Sequence, residues 1–488
     1  MSQVRKSILL SFGQNYIGFA LQFLSSVIIS RLLTPAEIGI FSVAMVFIGF
    51  AHVLRDFGVG SYIVQEKNLT QDKIRAAFAM TLITAWVMAI AIGLGSGYAA
   101  EFYHEPGIRS VMLVISLNFI LIPFGVVPIA YMNKKMDFMH IALIRTITNI
   151  VSTVFSIGLA YMGFSYLSMA WGSVAGIVCT IVLVQAWRPK DLPLLPGLKE
   201  IRRVFSFGSL SSLVMVLNDL RQGAPEMILG RLSGMAVVGY FGRAMGLVSM
   251  FERFVMTALW SVALPHFASQ SGKQGAIKDS FLRSMAYVTA LAWPFFSCLA
   301  LLAHPVVLIM YGKQWEPSVS LLRLLCLSAI ITSPFLLMGS MLIAIGKMRQ
   351  NFYLLVVDVP VRIVLIYLAA PFGLEAVGIS FIVASLIDNI ICILQCHIVL
   401  SANLKEIVKE LYKSAAVTVA AAILPLLVFL FGDGFLAERL WMQLFIGMTT
   451  AMLGWFAGLF WFRHPLRVEI GNSFVILKQS IGMLLKAS

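Results

Sequence analysis

Seven arginines stand inside long apolar runs of this 488-residue sequence: Arg55, Arg145, Arg221, Arg243, Arg253, Arg323 and Arg362. A guanidinium at the centre of a bilayer costs at least about 2.5–3.5 kcal/mol on insertion scales, so it faces a partner or a wet cavity. Arg145, Arg243 and Arg323 lie near the ends of their runs, where a long side chain can snorkel to the interface. Arg55, Arg221, Arg253 and Arg362 lie deeper. A planar guanidinium gives two parallel hydrogen bonds to one anion, which makes these four candidates for holding a pyrophosphate. The competing use is an internal ion pair. It is strongest for Arg362, because Asp358 precedes it by four residues on the same helical face.

Acidic residues occupy the same runs. Asp56, Asp219, Asp358 and Asp388, with Glu226 and Glu252, are candidates for coupling to protons or Na⁺, or else neutralise the arginines. Around Asp219 the order is Asn218-Asp-Leu-Arg-Gln-Gly-Ala-Pro-Glu226, which is an awkward sequence for a packed helix. Proline removes an internal hydrogen bond, and interrupted helices line transporter binding sites, so Gly223 and Pro225 are expected to form a hinge. No other chemistry is legible. There is no GxxxxGK[ST] phosphate loop and no HExxH among the seven histidines. Cys179, Cys298, Cys326, Cys392 and Cys396 lie in apolar runs with no CxxC pair, which gives zinc and disulfides no support. No metal and no cofactor is expected.

The elements that must position these groups are membrane helices. The chain is 60% hydrophobic and 12% charged, far from the roughly 25% charge of soluble domains. Runs of about 20 apolar residues cross a bilayer as helices. Fourteen are expected: 8–33, 36–64, 76–100, 108–132, 138–162, 164–187, 204–231, 236–266, 285–311, 318–346, 353–371, 374–402, 414–431 and 440–462. The net charge of +14 sits mostly in short loops, where it reports topology and anionic lipid headgroups and not nucleic acid. Alternate loops carry 24 Lys and Arg against five, which places both termini in the cytoplasm. The first run lacks a cleavage site of the A-x-A kind and reads as a retained helix. Ile470, Phe474, Leu477, Ile481 and Leu484 suggest a helix lying on the cytoplasmic surface.

An internal repeat organises the runs. Arg31-Leu32, Ala36, Gly39 and Phe41 return at Arg231-Leu232, Ala236, Gly239 and Phe241, an offset of 200. Arg55 is echoed by Arg253, Ser11-Phe-Gly13 by Ser206-Phe-Gly208, and Pro123-Phe124 by Pro334-Phe335. Two six-helix repeats in parallel orientation are expected, at 1–190 and 191–402. Residues 403–488 then add two helices and the tail. Such repeats place a substrate cavity between the halves.

Arg31-Leu-Leu-Thr-Pro-Ala-Glu-Ile-Gly39 with Leu54-Arg-Asp-Phe-Gly-Val-Gly60 resembles the start of bacterial polysaccharide flippases. Ile228-Leu-Gly-Arg-Leu232 with Val238-Gly-Tyr-Phe-Gly-Arg-Ala244 is similar to the opening of their second half. These belong to the multidrug/oligosaccharidyl-lipid/polysaccharide exporter superfamily, here the branch of colanic-acid and succinoglycan export. The resemblance implies transport, not catalysis: an oligosaccharide repeat unit linked by pyrophosphate to undecaprenol moves from the cytoplasmic to the periplasmic leaflet. It also implies a polysaccharide polymerase and a chain-length regulator as possible partners, and the bacterial inner membrane as the location. Arg55-Asp-Phe57 loosely matches an Arg that the related peptidoglycan-precursor flippases carry in their second span. Lys67 and Asp72 resemble commonly charged family positions. The rival readings are a drug or cation antiporter of the same superfamily, a peptidoglycan lipid-precursor flippase and a membrane-embedded polymerase. Cationic cargo would ask for acidic cavities, whereas the deep charges here are arginines.

Overall fold

The computed structural model describes residues 3–56, 59–188, 192, 195–199, 201–270, 272, 274–431, 439–469 and 471. Helices account for nearly all regular structure among them, and no strand occurs. In chain order they are α1 (Gln3–Leu32), α2 (Pro35–Asp56), α3 (Val59–Gln65), α4 (Gln71–Tyr103), α5 (Pro106–Leu121), α6 (Pro123–Lys134), α7 (Phe138–Tyr161), α8 (Leu167–Trp187), α9 (Ile201–Leu232) and α10 (Met235–Phe251). The second series is α11 (Thr257–Ser269), α12 (Gln274–Leu301), α13 (Ala303–Met310), α14 (Ser318–Thr332), α15 (Met338–Ala344), α16 (Met348–Ala369), α17 (Leu374–Leu400), α18 (Leu404–Phe431) and α19 (Leu440–Trp461). A helix or broken helix stands at every expected run. Eleven segments among the described residues are long and apolar enough to cross a membrane, or twelve when α5 and α6, bent by 49° at Pro123, count as one. The chain is a multi-pass membrane protein. The expected surface helix from Ile470 lies outside the described residues.

Local chemistry sets the helix ends. Thr34 and Glu37 form a reciprocal cap on α2: the Thr34 amide donates to Glu37 Oε2 at 2.7 Å, and the Glu37 amide to Thr34 Oγ1 at 3.4 Å. Pro35 follows at the first helical position, where its missing N–H costs nothing. At the start of α18 the Asn403 amide donates to Glu406 Oε2 at 2.8 Å, one half of such a reciprocal cap. Helix α10 runs into a single π turn, Glu252–Met256, before α11.

Two compact units result, Met1–Gly242 and Arg243–Ser488. In the first, α2 packs on α4, α5 and α9, and α7 packs on α1 and α8. In the second, α12 packs on α14 and α18, and α18 on α19, so the two C-terminal helices are built into the unit. The division falls within α10, and α9 packs on α2 and α4 in the first unit.

Candidate functional site

Burial separates the four deep arginines. Arg55 and Arg362 are 5% and 8% exposed, Arg221 is half-buried, and Arg253 is exposed. Arg55 closes the last turn of α2, and its guanidinium stands 5.9 Å from the centroid of Phe119 on α5. The same ring is tilted against His52, one turn earlier on α2, at 4.6 Å. Thr84 Oγ1 of α4 donates to the Arg55 carbonyl at 3.3 Å. A cation near an aromatic face is attracted by the ring quadrupole. The side chain of Asp56 lies outside the described residues.

Asp219 belongs to the seam between α2 and α9, and Arg221, two residues on, projects about 200° away around the same helix. A Cβ on Gly49 would stand 3.6 Å from Asp219 Oδ2. One on Gly223 would overlap Val46 Cγ1, and one on Gly230 would come within 2.9 Å of Val43 Cγ2. Glycines thus let two long helices approach closely. Gly223 serves that packing, and α9 stays helical through Pro225. At the far end of the seam the repeat has a structural meaning. A Cβ on Gly39 would overlap the Met235 carbonyl oxygen, and one on Gly239 would overlap the Pro35 carbonyl oxygen. The two glycines related by the offset of 200 make the same contact reciprocally. Tyr103 of α4 closes over this end, its hydroxyl donating to the Met227 carbonyl at 3.3 Å.

In the second unit, Arg362 pairs with Asp358 along α16, with Nη2 to Oδ1 at 3.4 Å, and lies 5.4 Å over the Phe381 ring of α17. Both members are buried. Asp388 is half-buried on α17, which packs on α16. Arg253 sits in the π turn, a local widening that the sequence does not announce. Arg243, expected to snorkel, instead lies 5.6 Å over both Tyr311 and Trp315. Among the described residues no group of three or more His, Cys, Asp or Glu side chains is arranged to hold a metal ion.

Sequence reasoning also missed a buried polar chain on the second unit. Thr289 Oγ1 of α12 donates to Ser414 Oγ of α18 at 2.9 Å, and Ser414 Oγ lies 3.2 Å from His464 Nε2, just past α19. The Leu466 amide donates to His464 Nδ1 at 3.1 Å, so the neutral ring carries its proton on Nε2 and gives it to Ser414. All three side chains are fully buried. A histidine near the last span was visible in the sequence; its partners 50 and more residues away were not.

Comparison with known proteins follows this geometry. The succinoglycan biosynthesis transport protein ExoT of Rhizobium meliloti (strain 1021) is 25% identical over 319 residues, 65% of this chain and 64% of that protein. The lipopolysaccharide biosynthesis protein WzxC of Escherichia coli (strain K12) is 22% identical over 329 residues, 67% of this chain and 66% of that protein. The matched stretches thus span less than two thirds of these relatives' length. Among solved structures, the lipid II flippase MurJ in an inward closed conformation superposes with a TM-score of 0.75 at 12% identity, covering 94% of this chain and 98% of that one. An inward-facing multidrug resistance MATE family transporter superposes with a TM-score of 0.60 at 16% identity, covering 79% and 94%. Both show the fold. A family model described as "Polysaccharide biosynthesis protein" matches residues 28–320, more than half of the chain and including the Arg31–Gly60 stretch, so this chain belongs to the polysaccharide biosynthesis protein family.

Proposed function

We propose that this protein is a flippase that moves an undecaprenyl-pyrophosphate-linked oligosaccharide repeat unit from the cytoplasmic to the periplasmic leaflet of a bacterial inner membrane. The cargo serves exopolysaccharide or O-antigen and lipopolysaccharide biosynthesis. The family, the transport role in the name of the succinoglycan relative and the flippase fold all support this. The observation that carries it is Arg55, a buried arginine in the last turn of an apolar helix with its guanidinium over Phe119. Such a group favours an anionic cargo over a cationic drug.

In this reading Arg55, Arg221 and Arg253 hold the pyrophosphate, while Arg362 contributes through its pair with Asp358. Asp56, Asp219, Asp358 and Asp388 are the places where protons or Na⁺ couple, and Gly223 with Pro225 is the flexing point of α9. Helices α1 and α9 cross the membrane with the other twelve, giving fourteen spans with both termini cytoplasmic. The protein transports and does not catalyse, and it works beside a polymerase and a chain-length regulator. The test is translocation of a labelled undecaprenyl-pyrophosphate oligosaccharide in proteoliposomes. Transfer to the outer leaflet that depends on the protein is expected; transfer equal to that of protein-free vesicles rejects the function.

A further inference from the structure

We propose that a groove between α3 and α6 is a binding site for an anionic glycerophospholipid, with one acyl chain in the groove and the phosphate among lysines at its mouth. The cavity measures about 450 Å³, within the range of small-ligand sites. Val64 on α3 and Val126, Ile129 and Ala130 on one face of α6 make its walls. Gly60 keeps it open, since a Cβ built there meets nothing within 4 Å. The polar lining is confined to one end, where Gln65 and Asn133 supply amides. Both helices run toward that end, which the lysine distribution assigns to the cytoplasm.

Beyond the amides, Lys67 follows Gln65 by two residues and Lys134 and Lys135 follow Asn133 directly, with Glu66, Asp72 and Asp137 as the acidic residues of the same turns. Lys134 Nζ donates to the carbonyls of Ile63, at 3.1 Å, and Glu66, capping the C-terminal end of α3. Lys73 Nζ bonds Glu66 Oε1 at 2.9 Å and the Asn68 carbonyl at 2.8 Å. Asp137 bonds the His140 ring at 2.8 Å. These contacts occupy Lys73, Lys134, Glu66 and Asp137 with one another, with His140 and with backbone, while Lys67 and Lys135 are exposed beside them, Lys135 4.7 Å over the Tyr131 ring. An apolar slot that ends in amides and then in ammonium groups complements a molecule with a hydrocarbon chain, an ester or glycerol link and an anionic head. The cytoplasmic leaflet supplies such molecules at high concentration. The groove fits a single chain far better than a polyprenol many isoprene units long, which favours the membrane lipid over the transported one.

The experiment uses the purified full chain in detergent and counts bound lipid by native mass spectrometry. Phosphatidylglycerol is compared with phosphatidylcholine of the same acyl chains. Retention of phosphatidylglycerol alone is expected, with affinity falling about fivefold for each of Lys67→Gln and Lys135→Gln, the attraction of one lysine for an anionic surface. Ala130→Phe fills the slot and should abolish the bound species; should that variant misfold, the two surface lysine variants still decide. Equal binding of both lipids, or unchanged binding in the lysine variants, overturns the proposal. So does displacement of phosphatidylglycerol by undecaprenyl phosphate at lower concentration, which would assign the groove to the cargo. None of these outcomes bears on whether the protein translocates oligosaccharide.

Discussion

The place of Arg55 in an apolar helix bundle rests on what surrounds its guanidinium. Phe119 and His52 provide one side of that surrounding. If the N–H donors serve the pyrophosphate, Arg55→Ala should lower translocation about a hundredfold, a loss on the order of 2–3 kcal/mol typical of a charged hydrogen bond. Arg55→Lys should recover part of it, because lysine keeps the charge without the planar fork. Wild-type rates from Arg55→Ala in proteoliposomes would remove Arg55 from the binding site. Arg362 leads to a different expectation. Its loss takes the paired cation from the buried Asp358 carboxylate, so Arg362→Ala should destabilise the protein by about 3–5 kcal/mol. The double variant Arg362→Leu, Asp358→Leu should melt much nearer to wild type. Thermal unfolding in detergent distinguishes the two, and equal losses would show that the pair matters for its shape and not its charge. The depth of both arginines could be read from the sequence, and so could the i, i+4 spacing of Asp358. What could not be read is tertiary: Phe119 comes 64 residues after Arg55, and Tyr311 and Trp315 come about 70 after Arg243.

At the scale of helices, the repeat was legible but its purpose was not. Matching residues at an offset of 200 suggested two similar halves; only the packing shows Gly39 and Gly239 each lying against the first carbonyl of the other's helix. A Cβ at either position has to push α2 and α10 apart, since backbone oxygen cannot rotate away. Gly39→Ala and Gly239→Ala should therefore both impair transport and raise the reactivity of a cysteine placed at Ser42 toward a membrane-impermeant reagent. Unchanged labelling in both variants would mean that the helices relax without opening. The C-terminal pair makes a second prediction. Burial, with the charge of Lys413 beside it, holds the His464 imidazole down at about 4, below its ordinary value near 6.5. A base whose folded pKa is lowered contributes stability above its unfolded pKa and loses it as the pH falls toward the folded one. The grip of α12 and α18 on the turn after α19 should weaken between about pH 6.5 and pH 4, by on the order of 2 kcal/mol. His464→Gln, which cannot take up a proton, should show a shallower decline in melting temperature over that window. Parallel curves for the two proteins would exclude His464 as the titrating group.

For the whole molecule, composition carried more of the fold than any motif, while the charge asymmetry between alternate loops stands as an expectation of orientation. Sixty per cent hydrophobic residues in runs of helical length led directly to the bundle, because lipid leaves the backbone only helices or a closed barrel and runs of about 20 apolar residues select helices. Breaks such as the α5–α6 bend and the π turn at Arg253 escaped, since they depend on which neighbour accepts the freed backbone groups. The same asymmetry of charge bears on what drives the cycle. A lipid-linked pyrophosphate carries roughly two negative charges and moves outward across a membrane that is negative inside. Each charge is worth about 2.3 kcal/mol per 100 mV, so the potential alone supplies on the order of 4–5 kcal/mol per turnover. Protons or Na⁺ bound at Asp219 or Asp388 would change the net charge moved without abolishing that dependence unless they cancelled it fully. Translocation in proteoliposomes should accordingly accelerate when a potassium diffusion potential makes the substrate side negative, and slow when the potential is reversed. A pH or Na⁺ gradient should shift the size of the effect if a carboxylate takes part, and leave it alone if the arginines return uncompensated. Rates indifferent to both the sign and the size of the potential would show that charge movement does not limit transport, and would point to lipid release or the reorganisation of α9 as the slow step.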